Sequence, residues 1–379
     1  MKIASVECLP VYDGRPSIFV IVQSDEGLFG VGEAGLVRRA GAIREVVNDF
    51  APLLIGEDPF RIEHHWQRLS RGFFFPHDKI AGSALAAIDI ALWDLMGKAL
   101  GLPVYQLLGG RVRDKVVCYP HVGGRTPEEL VERCLAARDE GWKFVRFSPN
   151  IGEGGRFEPA EAIRESIRMF EAVRTALGES VEICFDVHTR LDPADAIQLC
   201  RAVEPYRPFF MEDPIRSESP NSFRLLRQHI NVPLAAGEQF CSKWEFRQLI
   251  EEDLIDYARV DLCICGGISE SKKIAGWAET HYIKLATHNP LGPVSSAACL
   301  NLNLAVSNVG VMEQPQRPGR VMANVVPEQV TWADGYLLPP SKPGLGITFD
   351  VEAARRLPYR PGDVVRPLLH RDDGSFTNW

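Results

Sequence analysis

Glu182-Ile183-Cys184-Phe185-Asp186, Phe209-Phe210-Met211-Glu212 and Leu234-Ala235-Ala236-Gly237-Glu238 are three short, mainly apolar runs, and each ends on an acid. The closing acids fall 26 residues apart, from 186 to 212 and from 212 to 238. Successive strand–helix units of constant length produce that interval. In an eight-stranded α/β barrel each such strand delivers its carboxylate to the C-terminal rim, where these barrels place their chemistry. Three convergent carboxylates form a hard oxygen donor set suited to a divalent cation such as Mg²⁺. A lone acid at a strand end is commonly a helix cap. Three at one interval are read as a shared metal site of Asp186, Glu212 and Glu238, with Asp213 as a loop or supporting acid.

Outward from this stretch the same texture continues. Short apolar strands are expected at Val116 to His121, Phe144 to Ser148, Glu182 to Asp186, Phe209 to Glu212, Leu234 to Gly237, Ile255 to Val260, Ile283 to Thr287 and Val309 to Glu313. Eight strands alternating with amphipathic helices call for a closed parallel sheet. Thr126-Pro127, Asp192-Pro193 and Ser219-Pro220 each offer a helix N-cap followed by proline at the first helical position. Before the barrel, residues 1 to 35 read as an antiparallel meander, followed by helical patterns over Arg39 to Leu54 and Pro59 to Arg71. The loop Gly72-Phe73-Phe74-Phe75-Pro76-His77-Asp78 sets three aromatics beside Pro and His, which reads as plain packing or as a lid. Ser83 is expected to open a long helix that Gly101 stops. The fold class is thus α/β: an α+β domain over residues 1–114, a barrel over 115–325, and a Pro- and Gly-rich segment, 326–379, that returns to the first domain.

Composition agrees with this size. A barrel takes about 250 residues, and 379 leave room for one smaller domain. Apolar residues at 45% and charged residues at 24% describe an ordinary globular chain. A net charge of −8 without a basic run argues against nucleic acid as a partner. No signal peptide is read at Met1 to Glu7 and no apolar run of membrane-spanning length is expected, so a cytoplasmic protein without a membrane partner is inferred. Nine scattered cysteines, Cys263 and Cys265 the closest pair, fit a reducing compartment.

Two histidines stand at strand ends beside the acids. His188 follows Asp186 by two residues, so strand alternation points both to one side. His288 follows the seventh strand, and Asp261, ending the sixth, could accept a hydrogen bond from its ring. Such a partner fixes the imidazole tautomer and raises its basicity, which suits a general base. Glu313 closes the eighth strand; His121, ending the first, and His77, in the aromatic loop, are candidates to bind substrate, whereas His64, His65, His229, His281 and His370 read as surface or structural. A divalent cation flanked by bases suits proton abstraction next to a carboxylate, because the cation stabilises the charge that develops.

Along its whole length the chain resembles the acid-sugar dehydratases of the enolase superfamily, mandelate racemase subgroup, with segments similar to galactonate and to mannonate dehydratases. The resemblance is carried by the carboxylate runs, by Ala87-Ile88-Asp89-Ile90-Ala91-Leu92-Trp93-Asp94-Leu95, Leu107-Leu108-Gly109-Gly110 and Lys342-Pro343-Gly344-Leu345-Gly346, and by Thr287-His288-Asn289-Pro290-Leu291-Gly292-Pro293. It implies an N-terminal capping domain over a modified (β/α)₇β barrel, a Mg²⁺ cofactor, a small sugar acid as substrate and a homo-oligomeric assembly. It also implies His288 as base with Asp261 as its partner, His188 as the acid that protonates the departing 3-hydroxyl, and Glu313 near the substrate carboxylate. The chain departs from the pattern in Phe144-Val145-Arg146-Phe147-Ser148, where related enzymes carry lysine. Arginine stays protonated and is a poor base, so Arg146 is read as binding substrate or stabilising charge. A mannonate dehydratase pairs such an arginine with a tyrosine, but Pro149 to Pro159 contains none. The expectation is an aldonate dehydratase giving a 2-keto-3-deoxy acid; the alternatives are a racemase, epimerase or lactonizing enzyme of the superfamily, or a silent sugar-acid-binding homologue.

Overall fold

The computed structural model describes residues 1–360 and 368–378. Residues 361–367 and Trp379, part of the segment expected to return to the first domain, lie outside the described residues. Strands β1 (Ile3–Tyr12), β2 (Pro16–Ser24) and β3 (Phe29–Ala34) form the expected antiparallel meander. Helices Ala40–Leu54, Ile62–Arg71 and Lys79–Leu100 cover it, with Val20, Val22, Ile43, Val47, Leu85, Leu92 and Leu95 in a core of their own. The helix expected to open at Ser83 starts four residues earlier, because Asp78 caps it by accepting from the Ile80 and Ala81 amides.

Eight parallel strands follow: β4 (Val116–Tyr119), β5 (Phe144–Phe147), β6 (Glu182–Asp186), β7 (Phe210–Glu212), β8 (Leu234–Ala236), β9 (Tyr257–Ala258), β10 (Lys284–Thr287) and β11 (Val309–Glu313). Neighbours in sequence are neighbours in the sheet, and β11 pairs with β4. The barrel closes between β4 and β5 through the bridge of His121 with Arg146, whose carbonyl accepts from the Val122 amide at 2.8 Å. Helices follow the first seven strands, from Pro127–Asp139 to Pro293–Ala305, whereas β11 leads into the C-terminal segment, whose one helix among the described residues is the short Val351–Arg355. This is the (β/α)₇β order. Alternation along the strands divides the packing in two: Tyr119, Phe144, Cys184, Phe210, Ala235, Ala286 and Val311 fill the barrel, while Val145, Phe147, Ile183, Phe185 and Leu285 meet the surrounding helices.

Several local expectations are corrected. Of the three proposed N-caps only Thr126 caps with its side chain, accepting from the Glu129 amide, whereas Asp192 accepts from Asn378 instead and Ser219 makes no cap bond. The sixth strand is shorter than expected, although the extended backbone beyond it still bonds, His288 N to Val260 O at 3.1 Å. Among the described residues one helix, Lys79–Leu100, is long and apolar enough to cross a membrane, against the expectation; 78% of its apolar 18-residue stretch is buried, as befits the core helix of the first domain. In the C-terminal segment, a hairpin of β12 (Trp332–Ala333) and β13 (Tyr336–Leu337) adds to the β4 edge, the Leu345 amide reaches Asp94, and the Tyr359 amide bonds Pro10 beside β1.

Asp94 holds three of these parts together. Its carboxylate accepts from the Val31 amide at 3.0 Å, the Leu345 amide at 2.8 Å and the Lys98 ammonium at 2.6 Å, with almost no exposed surface. Asp94→Ala leaves two buried backbone donors without partners, at about 1–3 kcal/mol each, so a loss of about 2–5 kcal/mol in urea denaturation is expected.

Asp89, on the same helix, is buried and accepts from the Ser269 amide at 3.0 Å and the Ser269 hydroxyl at 2.5 Å. Burial pushes its carboxyl up to about 7 despite those bonds. An acid whose folded-state value lies above its unfolded value binds more protons when folded, so stability falls as pH rises from about 4 to about 7. Asp89→Asn removes that component. The melting temperature of the variant relative to wild type is therefore expected to climb between pH 5 and 7.5, as thermal melts over a pH series will read.

Candidate active site

The barrel register sets the acids side by side. Asp186 and Glu212 are cross-strand partners at the ends of β6 and β7, and Glu238 follows β8 by two residues. All three lie at the C-terminal ends of their strands, as the spacing implied. Asp186 and Glu212 have no exposed surface. Crowding of like charge at low dielectric then sorts the protons. Burial, then the charges of Asp213 and Glu212, push Glu238 well above the ordinary carboxylate range; burial and Glu212 push Asp213 up to about 8. Burial works against ionisation of Glu212 as well, but the Arg259 and Arg146 charges outweigh it and hold this carboxyl below its usual value.

Arg259 is the group that sequence reading missed. It is the largest side chain with no exposed surface; Nε donates to Glu212 Oε1 at 2.5 Å, one terminal nitrogen to Glu313 Oε2 at 2.6 Å, and the other to the Ala286 carbonyl at 2.8 Å. A signal was there: in Ile255-Asp256-Tyr257-Ala258-Arg259-Val260-Asp261 a charged residue stands two positions before Asp261, on the same side of an extended strand otherwise apolar around it. Glu313 also accepts from the Asn289 amide at 2.9 Å and lies 2.6 Å from His121 Nε2. Arg259 and His288 overcome the burial of Glu313 and hold it well below the carboxylate range.

His288 pairs with Asp261 as expected, Nδ1 lying 2.7 Å from Oδ2, and Asp261 is itself held by the Cys263 amide at 2.7 Å. The other ring nitrogen, Nε2, lies 3.4 Å from Glu238 Oε2 and 3.9 Å from Glu313 Oε2, so His288 stands between the acids of β8 and β11. His188 arrives by another route than strand alternation. The strand ends at Asp186, and His188 and Thr189 both take left-handed φ of 57°, a turn in which the Asp186 carboxylate accepts from the His188 amide at 2.8 Å and lies 2.9 Å from Nδ1. Burial first, then the nearby Arg146 and Arg190 charges, keep the His188 imidazole neutral, well below its ordinary value. Arg146 pairs directly with Asp186. His77 is not gathered with these groups: Nδ1 lies 2.9 Å from the hydroxyl of Ser70, on helix Ile62–Arg71 of the first domain, and Nε2 3.1 Å from the Cys241 carbonyl, which ties the aromatic loop to the barrel.

The residues at the rim fit a divalent cation by the chemistry of their donors. Glu212 Oε2 and Glu238 Oε2 are buried and receive no hydrogen bond, and like charges drawn together need a cation or a proton between them. Among the described residues no three acid, histidine or cysteine side chains already stand in ligating geometry. The reason is visible: Arg146 engages Asp186 and Arg259 engages Glu212.

Arg259→Met leaves Glu212 and Glu313 buried without their common counter-charge. Breaking a buried pair from one side costs about 3–5 kcal/mol, and two pairs break here. A loss of at least that size in denaturant unfolding is expected, with Arg259→Lys intermediate, because lysine keeps the charge but not the fork.

Comparison with known proteins agrees with this geometry. Residues 129–354 match the enolase C-terminal domain-like family, and residues 12–109 match the mandelate racemase/muconate lactonizing enzyme N-terminal domain. The chain is 36% identical over 405 residues to a D-mannonate dehydratase of a Caulobacter species, covering 100% of both chains. It is 37% identical over 372 residues to a D-galactonate dehydratase of Ralstonia nicotianae, covering 96% of each. Among solved structures, an enolase from Pantoea ananatis with bound D-gluconate and Mg superposes with a TM-score of 0.94 at 32% identity, covering 100% of this chain and 99% of that one.

Proposed function

The chain belongs to the mandelate racemase/muconate lactonizing enzyme family of enolase-like proteins, and on that premise we propose that it is a Mg²⁺-dependent dehydratase of an aldonic acid. The observation that carries the reading is the Asp261–His288 pair, whose other ring nitrogen, Nε2, lies 3.4 Å from Glu238 at the acidic rim. Asp186, Glu212 and Glu238 would hold the cation. Bound there, Mg²⁺ would supply positive charge against the substrate carboxylate, without which its α-proton is too weakly acidic for an imidazole.

The chain's own groups do the rest. His288 Nε2 takes the α-proton while Asp261 holds Nδ1–H and stabilises the imidazolium. His188 gives a proton to the 3-hydroxyl, which leaves as water, and the enol tautomerises to a 2-keto-3-deoxy acid. Because His188 is neutral beside Arg146 and Arg190, its acid role depends on the anionic substrate offsetting those guanidinium charges. Arg146 and His121 complete the walls as substrate-binding groups, with Glu313 near the carboxylate. A racemase or epimerase needs a second base across the site, and Arg146, protonated and paired to Asp186, does not supply one. A cytoplasmic location and a homo-oligomeric assembly belong to the same proposal.

A panel of aldonic acids including D-gluconate, D-mannonate and D-galactonate, incubated with Mg²⁺, is expected to yield a 2-keto-3-deoxy product from at least one. Chelation removes the activity, and His288→Asn lowers it by about 10²–10⁴-fold. Exchange of α-deuterium from D₂O into recovered substrate without keto product would favour the epimerase. Saturable binding with neither outcome would favour a silent binding homologue.

A further inference from the structure

The two halves of the Asp261–His288 pair lie in successive βα loops, and each loop runs into a helix whose N-terminus lacks a side-chain cap of its own. Asp261 precedes helix Gly267–Glu279, with Gly266 at the N-cap; His288 precedes helix Pro293–Ala305, with Gly292 there. Neither glycine can satisfy the amides that open its helix. Carboxylates from the capping domain do so. Asp89, on helix Lys79–Leu100, accepts from the Ser269 amide and hydroxyl. Glu33, on β3, accepts from the Gly292 amide at 2.8 Å and the Ser295 amide at 2.9 Å. Both acids are buried and well placed against the positive ends of the two helix dipoles. The glycines are needed for the approach: a β-carbon on Gly267 would collide with the Asp89 carboxylate, and one on Gly292 with that of Glu33.

Shorter ties run through the same loops. The Gly35 amide donates to the Cys263 carbonyl at 2.8 Å and the Trp66 indole to the Gly266 carbonyl at 2.7 Å, which anchors the Asp261 loop. The Arg15 guanidinium donates to the Pro290 carbonyl at 2.5 Å, two residues after His288. From the first turn of the second helix, Ser296 accepts from the Asn289 amide side chain, which also donates to the Glu313 carbonyl. The position of His288 is therefore passed from Glu33 through the helix start and Asn289.

From this we infer that Glu33 and Asp89 are positioning residues for the Asp261–His288 pair, so that the capping domain sets the geometry of the proton-abstracting groups as well as covering them. This rests on the proposed role of His288 only for its effect on rate; the effect on the pair itself does not depend on that role. A displacement of about 1 Å at a reacting group can cost about 10²-fold in rate, and neither acid touches the acidic rim on β6 to β8.

Glu33→Gln and Asp89→Asn keep side-chain size, and each withdraws one acceptor from its helix start. With the aldonate of the panel that turns over best, each is expected to lower kcat about ten-fold or more with KM within about three-fold. The downfield proton resonance of the His288–Asp261 hydrogen bond, in histidine-labelled protein, is expected to shift or broaden. Calorimetric titration with Mg²⁺ alone is expected to match wild type, which shows that the fold and the acidic rim survive. On a His288→Asn background the same substitutions are expected to cost nothing further in residual rate. An unchanged kcat with an unchanged downfield resonance overturns the inference. So does a loss that persists undiminished on the His288→Asn background, or one that comes with loss of Mg²⁺ binding, since either marks a general structural role. If His288→Asn itself leaves dehydration intact, the base assignment falls, and the resonance alone then decides whether Glu33 and Asp89 hold the pair.

Discussion

One guanidinium with no contact to water holds the site together. Arg259 lies between Glu212 and Glu313, at 2.5 and 2.6 Å. Each charge in that triad would be costly to bury alone, and their mutual attraction offsets the cost only because the fork geometry satisfies both carboxylates at once. The pairing also decides which acids of the cluster are charged. Glu212 and Glu313 sit against Arg259 and stay ionised, whereas Glu238 and Asp213, further from it and crowded by Glu212, are driven toward the protonated state. Without a cation the rim is thus a mixed set of carboxylates and carboxylic acids. Binding a divalent cation would release protons from it, as metal binding to protonated ligands generally does.

The barrel was legible because its signal is long-range and periodic. Acids at 186, 212 and 238 report a repeating unit length, and local errors in strand ends do not disturb it: β9 is only two residues long, yet Asp261 still meets His288. The pairing of those two could be anticipated because neighbouring strands in such a sheet are neighbours in sequence. What could not be read depends on a local turn or on contacts remote in sequence. His188 sits at the rim through a left-handed turn rather than through alternation, and nothing in Asp186-Val187-His188 announces a positive φ. Asp78 caps the long helix where Ser83 was expected to open it, because an apolar helix looks alike from any of its first residues. Arg259 stands on an otherwise apolar strand, and its partners Glu212 and Glu313 lie 47 and 54 residues away in sequence. The parts played by Glu33 and Asp89 rest on partners 259 and 180 residues away.

The covering domain and the barrel are accordingly not separable layers. Its helix Lys79–Leu100 alone contributes Asp89 to one barrel helix, Trp93 to the Ser269 hydroxyl and Asp94 to the returning C-terminal segment. Residues 370–372 meet the loop after β5. Phe157, in the loop after β5, donates its amide to the His370 carbonyl at 2.8 Å, and the Arg156 guanidinium pairs with Asp372 at 2.5 Å. The loops after β5, β9 and β10 are therefore each held from outside the barrel, two by the first domain and one by residues near the C-terminus. Loops on a rigid scaffold commonly carry function at the expense of order; here the order is supplied by long-range contacts.

Arg146 shows how this arrangement bears on the proposed chemistry. A lysine at the end of β5 could be brought near neutrality by burial and could then exchange a proton. An arginine cannot, and this one is paired with Asp186. Burial first, then the Arg146 charge and that of Arg190, keep His188 neutral. Asp186 would hold a cation only in place of its pair with Arg146, and Arg146 would then be available to bind the anionic substrate. In the proposed reaction Arg146 is thus no substitute base: it would bind the anionic substrate, while proton abstraction would remain with His288.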